Sequence, residues 1–276
     1  MPESPEVQAL VEFLDERVSG RVIAGVDGVD PRIVKTRGRP LTGLTGARMT
    51  AVRRYGKYVG FDTGAGCLVV SFGRNGWIRW QPSGGPFAET PAPLVARIAL
   101  DDGDAMEIVE TGDFLAVAAW VVDAPADVPG IAALGPDPIS ADFSREDLDA
   151  ALGRRRKQIK ALLQEQTSLA GIGNAYSDEI LHRAKLSPTV HAAVLADDDR
   201  ERLYTATAEI LRGAVADRRG LPLDQLKAAK VAAMAVHGRG GEACPVCGTT
   251  IVDHVFGGAS AQLCPACQGD EASSGA

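Results

Sequence analysis

Apolar residues recur at helical spacing near the start of the chain, where Val7, Leu10, Val11, Leu14 and Val18 fall on one face. Ser4 stands ready to cap this helix, with Pro5 at its first position and Glu6 in its first turn. The period then shortens. Segments 22–29, 49–52, 58–61, 67–72, 77–80, 96–100 and 105–109 read as strands between Gly, Pro and Asp turns. Segment 114–122, rich in Ala, reads as a strand or a short helix. So many short strands in succession indicate a β-sandwich or barrel. Residues 126–142 form a connector rich in Pro, Gly and Asp, after which the pattern turns helical. Ser144 caps a helix through Leu152, with Asp147 at the capping-box position. Helices follow over 158–164, burying Ile159, Leu162 and Leu163, and over 175–184, ending before Pro188. A long one over 198–218 carries Leu203, Ile210, Leu211 and Val215 on one face.

These elements divide the chain into 1–125, a linker 126–142, a helical part 143–235, a cysteine-bearing part 236–270 and a tail 271–276. At 276 residues it is long enough for two cores. No apolar run approaches the ~20 residues of a membrane span, so no membrane partner is expected. A net charge of −7 argues against a chain that is basic throughout. The distribution matters more: Arg154-Arg155-Arg156-Lys157 and Lys160 form a basic block able to hold phosphates.

Cys244, Cys247, Cys264 and Cys267 are spaced C-x2-C-x16-C-x2-C, which fits a structural Zn²⁺ site. The alternative is two disulfides in a secreted chain. Charged first residues with no signal peptide before them point to a reducing cytoplasm and favour zinc. The β-prone stretch 249–263, broken by Gly257-Gly258, is expected to form a hairpin with its tip at the glycines. Cys67, in an apolar run, reads as a buried small hydrophobe.

Three further places carry potential chemistry. Removal of Met1 ahead of a small residue leaves Pro2 with a secondary amine, and an α-amino group titrating near ~8 is partly neutral and nucleophilic. Glu3 beside it can move protons, although Pro-Glu can also be only the start of a helix. Lys57 follows Arg53-Arg54-Tyr55-Gly56 in a cationic turn and could equally be a solvated surface lysine. In Gly171-Ile172-Gly173-Asn174, glycines between helices allow close approach to an anion, or serve a tight turn for steric reasons alone.

In order along the chain stand Pro2-Glu3 with Pro5-Glu6-Val7, Lys57 in Arg-Arg-x-x-Lys-Tyr, and Leu134-Gly135-Pro136-Asp137-Pro138. Then come Ala170-Gly171-Ile172-Gly173-Asn174-x-Tyr176 and the four-cysteine finger. Together they make a chain that resembles, over nearly its whole length, the formamidopyrimidine-DNA glycosylase / endonuclease VIII family of base-excision repair enzymes. The resemblance implies an α+β multidomain fold: an N-terminal β-sandwich with a leading helix, a helix–two-turn–helix domain and a C-terminal zinc finger, with double-stranded damaged DNA held between the lobes. It implies a bifunctional glycosylase/AP lyase in which Pro2 attacks C1′ of a flipped-out nucleotide, Glu3 transfers protons, and β/δ-elimination nicks the strand. Lys57 and Asn174 would hold the flanking phosphates, with Gly171, Gly173, Tyr176 and Arg74 also in the DNA-binding surface. One structural zinc and a monomeric, nucleoid-associated bacterial protein complete the expectation.

Three departures bear on activity. Aligning Phe256 and Cys264 puts Ala259 where the family has a phosphate-gripping arginine. Arg74 in Phe72-Gly73-Arg74-Asn75-Gly76 replaces a void-filling methionine. Gly112-Asp113-Phe114 lacks the arginine that reads the opposite base. The alternative function is therefore a catalytically weak relative that binds damaged or abasic DNA.

Overall fold

The computed structural model describes residues 2–85, 93–256 and 259–269, and the chain forms two compact units. The first comprises Pro2, Glu6–Ala133 and Arg219–Leu226. Its leading helix α1 (Ser4–Val18) turns the expected stripe into a core, where Val7, Leu10, Leu14 and Val18 are fully buried. The expected cap by Ser4 is not made: its Oγ is buried without a hydrogen-bond partner among the described residues, and its N–H donates to Gly171 O at 3.0 Å. Arg54 braces the helix from outside, donating to Gln8 Oε1 at 2.8 Å.

The strands of this unit are β1 (Ile23–Asp27), β2 (Met49–Tyr55), β3 (Tyr58–Thr63) and β4 (Gly66–Ser71), then β5 (Gly76–Gln81), β6 (Leu94–Leu100), β7 (Ala105–Glu110) and β8 (Ala118–Val122). They build two four-stranded antiparallel sheets, ordered β1-β6-β7-β5 and β2-β3-β4-β8. Val59, Phe61, Leu68 and Val70 of one sheet meet Ile78, Ala96, Ile98 and Ile108 of the other in the same core. The other face of β4 buries Cys67 and Val69 with Val122 and Val128, and desolvation pushes the Cys67 thiol up to about 12, leaving it inert.

Segment 114–122 is a strand only from Ala118, and no helix. The reason lies in Glu110, whose buried carboxylate accepts N–H groups from Gly112 at 3.1 Å and Ala116 at 3.0 Å. That curls residues 111–117 into a loop and leaves Phe114 85% exposed. After β8 come a short helix α2 (Pro129–Ala132) and the boundary between the units at 133/134.

The second unit comprises Glu3–Pro5, Leu134–Arg218 and the chain from Lys227 onward. Its helices are α3 (Arg145–Leu152), α4 (Ile159–Leu163), α5 (Asn174–Ala184), α6 (Asp197–Arg218) and α7 (Leu226–Ala233). Ser144 and Asp147 form the expected capping box on α3, with Ser144 Oγ accepting the Asp147 N–H at 3.1 Å. Leu148, Leu162, Leu163, Ile172, Ile180, Leu203 and Leu211 fill the core. The hairpin β9 (Val252–Phe256) and β10 (Ala259–Leu263) pairs Ala259 with Phe256, its expected tip lies outside the described residues, and α8 (Pro265–Gln268) follows. Among the described residues no helix is long and apolar enough to cross a membrane.

Candidate active site and metal centre

The glycine turn before α5 answers to two different constraints. Gly171 has φ of +86°, which a side chain would strain, and its N–H donates to Gln166 Oε1 at 2.8 Å. Gly173 has ordinary φ, but a Cβ there would lie 2.6 Å from Cδ of Glu3. The second glycine thus makes room for a carboxylate. Glu3 is 2% exposed and accepts hydrogen bonds from Gly173 N, from Ala175 N at 3.1 Å and from Lys230 Nζ at 3.1 Å. A helix N-terminus carries partial positive charge and unpaired N–H groups, so it holds the anionic form of this side chain without an external ion. Both glycine N–H groups donate within the protein, Gly171 to Gln166 and Gly173 to Glu3.

Asn174 is oriented by Gln164, whose Nε2 donates to Asn174 Oδ1 at 3.1 Å and to Ser177 Oγ at 3.0 Å. Taking up the oxygen makes the NH2 end of Asn174 the group that can donate outward. Tyr176 is 1% exposed, so the surface contact expected of it is not open to its ring. It supports Lys230 instead, whose Nζ sits 4.8 Å above the ring centroid.

A buried ionic chain runs through α5 behind this surface. Lys160 Nζ donates to Asp178 Oδ1, and Asp178 Oδ2 pairs with His237 Nδ1 at 2.7 Å. Lys160 and Asp178 are each 1% exposed. Burial pushes the Lys160 pKa down, and the carboxylates of Asp178 and Glu3 oppose it. Glu179 accepts three consecutive backbone N–H groups, from Ala235 at 2.8 Å and from Val236 and His237 at 2.9 Å each. Sequence reasoning missed Lys160 as a buried ion, and Asp178, Glu179, Lys230 and His237 altogether. The available signal was the adjacent Asp178-Glu179 pair inside a helix otherwise buried, since acids there need partners.

In the first unit, Lys57 stands in the two-residue turn between β2 and β3, where Gly56 has φ of +56°. Arg54 reaches back to Gly56 O at 3.1 Å and stiffens that turn. Pro2, half-buried, is bonded directly to Glu3. Arg74 is exposed on the loop between β4 and β5. That loop is fastened to the Phe114 loop, because Asn75 O accepts from Thr111 N at 3.3 Å and Thr111 Oγ1 at 3.0 Å. A Cβ on Gly73 would lie 2.4 Å from Ala116 Cβ, so the two loops touch.

Sγ atoms of Cys244, Cys247, Cys264 and Cys267 lie within 4.8 Å of one another, and none is disulfide-bonded. Separations of 3.9 Å for 244–267, 3.3 Å for 247–264 and 3.5 Å for 247–267 suit a tetrahedron with Zn–S of ~2.3 Å, whose edges are about 3.8 Å. The four residues are the ligands of one structural zinc, which fixes the two C-x2-C turns together.

Three family descriptions match in sequence. The formamidopyrimidine-DNA glycosylase N-terminal domain covers residues 1–117, its H2TH domain 134–223, and the zinc finger found in FPG and IleRS 241–269. The formamidopyrimidine-DNA glycosylase of Geobacter metallireducens is 32% identical over 270 residues, covering 97% of this chain and 100% of the relative. That of Nocardia farcinica is 33% identical over 298 residues, covering 97% and 98%. Among solved structures, MutM (Fpg) of Thermus thermophilus superposes with a TM-score of 0.82 at 31% identity, covering 97% of this chain and 99% of that one. Lactococcus lactis Fpg bound non-covalently to DNA containing an AP site gives 0.83 at 26% identity, covering 96% and 99%. Sandwich, helical domain, cysteine cluster and full-length similarity agree: the chain belongs to the formamidopyrimidine-DNA glycosylase family.

Proposed function

We propose that this DNA glycosylase is bifunctional, excising a damaged base through Pro2 and then cleaving the abasic strand. The observation that carries the reading is the seating of Glu3: a buried carboxylate that accepts two helix N–H groups and the Lys230 ammonium, one residue from the nucleophilic nitrogen. The neutral Pro2 nitrogen forms a bond to C1′ as the glycosidic bond breaks, and the departing base takes the bonding electrons and a proton. Loss of the nitrogen's proton and opening of the sugar give an iminium. It acidifies the C2′ hydrogen, so that removal of that proton expels the 3′ phosphate, and a second elimination expels the 5′ phosphate. Glu3 carries protons between the sugar ring oxygen and C2′.

Phosphates flanking the extruded nucleotide are held by Lys57 and by the NH2 group of Asn174. Damaged duplex DNA is the partner, in keeping with neighbours solved on DNA that carries 8-oxoguanine or an AP site. Zinc supplies structure to the finger and takes no part in bond breaking. Incubation with an abasic-site duplex tests the reading. Wild type should leave a 3′-phosphate end, and Glu3→Gln should lose at least ~100-fold in rate, the usual scale for a positioned proton carrier. A protein that binds the duplex and leaves both strands intact would establish the non-catalytic alternative.

A further inference from the structure

Helix α5 and the residues just after it meet the finger. Glu179 and His182, spaced i, i+3 on the helix, and Leu186, just beyond its left-handed C-cap Lys185, each reach the segment that carries the cysteines or leads into it. Glu179 gathers the N–H groups of residues 235–237. Leu186 O accepts from Gln268 Nε2 at 2.9 Å, while Gln268 Oε1 accepts from Cys264 N at 2.9 Å. Between these two anchors the His182 ring, 7% exposed, points its Nε2 at Cys244 Sγ, 3.4 Å away.

Four thiolates on one Zn²⁺ carry a net charge of −2, and Cys244 is the second most buried of them at 3% exposed. Such a sulfur is cut off from water and needs N–H donors. Val246 N supplies one, at 3.4 Å. A metal-bound thiolate has no hydrogen to give, so the ring nitrogen facing it must be the donor.

We infer that His182 donates its Nε2–H to the zinc-bound thiolate of Cys244 and so positions the metal centre on α5. The imidazole is a positioning residue acting through the cysteine, with its tautomer fixed by the contact. The same helix offers its N-terminal N–H groups to Glu3, so one rigid element registers both the carboxylate and the metal. This assignment does not depend on which reaction the protein catalyses.

The test uses the full chain with the spin-half isotope of cadmium in place of zinc and with ¹⁵N-labelled histidine. A proton on His182 Nε2, scalar-coupled to the metal through the sulfur, is the expected result; a proton on Nδ1 with no coupling overturns the inference. As a second measurement, zinc affinity is determined by chelator competition. His182→Phe keeps the packing volume but removes the donor, and should weaken zinc binding about 10- to 100-fold, the range for lost partners of metal ligands. In cobalt-loaded protein the thiolate charge-transfer band of this variant should move to lower energy, and His182→Gln, which keeps a donor, should move it less. Affinity and band position unchanged from wild type in His182→Phe would overturn the inference.

Discussion

The carboxylate of Glu3 accepts the backbone N–H of Ala175 at 3.1 Å, across 172 residues of sequence. Near neighbours of this contact need not respond alike. Gly173→Ala would put a methyl 2.6 Å from Glu3 Cδ. We expect abasic-strand cleavage to fall at least ~100-fold, with thermal unfolding little changed, because the carboxylate and not the core is displaced. Gly171→Ala places a side chain at φ of +86°. It should lower stability by roughly 1–2 kcal/mol through strain. Paired melting and cleavage assays distinguish the two glycines.

Asp178→Asn takes away the counter-ion that holds the proton on the buried Lys160 amine. Breaking a pair at 1% exposure on both sides should cost about 3–5 kcal/mol in chemical denaturation. The double variant Lys160→Met with Asp178→Asn should recover part of that loss. Equal stability of single and double variants would mean that the pair is not coupled.

Glu165 provides a pH prediction with a definite sign. Hydrogen bonds from Arg155, and then from Ser168, hold its carboxyl at about 2 in the folded chain, below its ordinary 4.5. A depressed folded-state pKa stabilises the fold above the unfolded value, and the contribution disappears as pH falls. The stability difference between wild type and Glu165→Gln should therefore be constant above about pH 5.5 and shrink between about 4.5 and 2. With Glu165 partly exposed, the difference at neutral pH should stay within ~1 kcal/mol.

Much of this molecule is legible in its sequence because local rules and packing agree. The α1 stripe, the short strands between turns, the Ser144–Asp147 box and the cysteine spacing are each settled within a few residues, and the structure has all of them. What sequence conceals depends on distant partners. Nothing near Gly173 shows that the anion at its helix is Glu3 from the other end of the chain. Tyr176 looks like a surface aromatic until α5 is seen to be buried almost throughout. Ser4 has the right residue type for a cap, yet its N–H is drawn to Gly171 O. The 114–117 stretch fails as a strand because the Glu110 carboxylate captures the N–H groups of Gly112 and Ala116 and curls the chain between them.

Cys264→Ser removes one thiolate from the tetrahedron. Metal analysis should find the bound zinc lost and affinity for abasic duplex reduced, while circular dichroism shows the β-sandwich intact. Zinc content equal to wild type would show that Cys264 is not a ligand.

Arg74 and Phe114 project from loops that are fastened together through Asn75 and Thr111. An arginine in this place can hydrogen-bond the base left unpaired by extrusion, or meet a backbone phosphate. Affinity of wild type and Arg74→Met for an abasic analogue opposite each of the four bases separates these roles. A reader of bases changes the ranking, while a phosphate contact lowers all four evenly and reduces the salt slope. We expect the ranking to change.

The most direct test of the account is borohydride reduction during reaction with an abasic-site duplex, followed by peptide mapping of the adduct. Trapping should place the sugar on the Pro2 nitrogen, and protein carrying any additional residue before Pro2 should trap nothing. An adduct mapped to Lys57, Lys230 or another lysine, or full trapping by the blocked protein, would contradict Pro2 as the nucleophile.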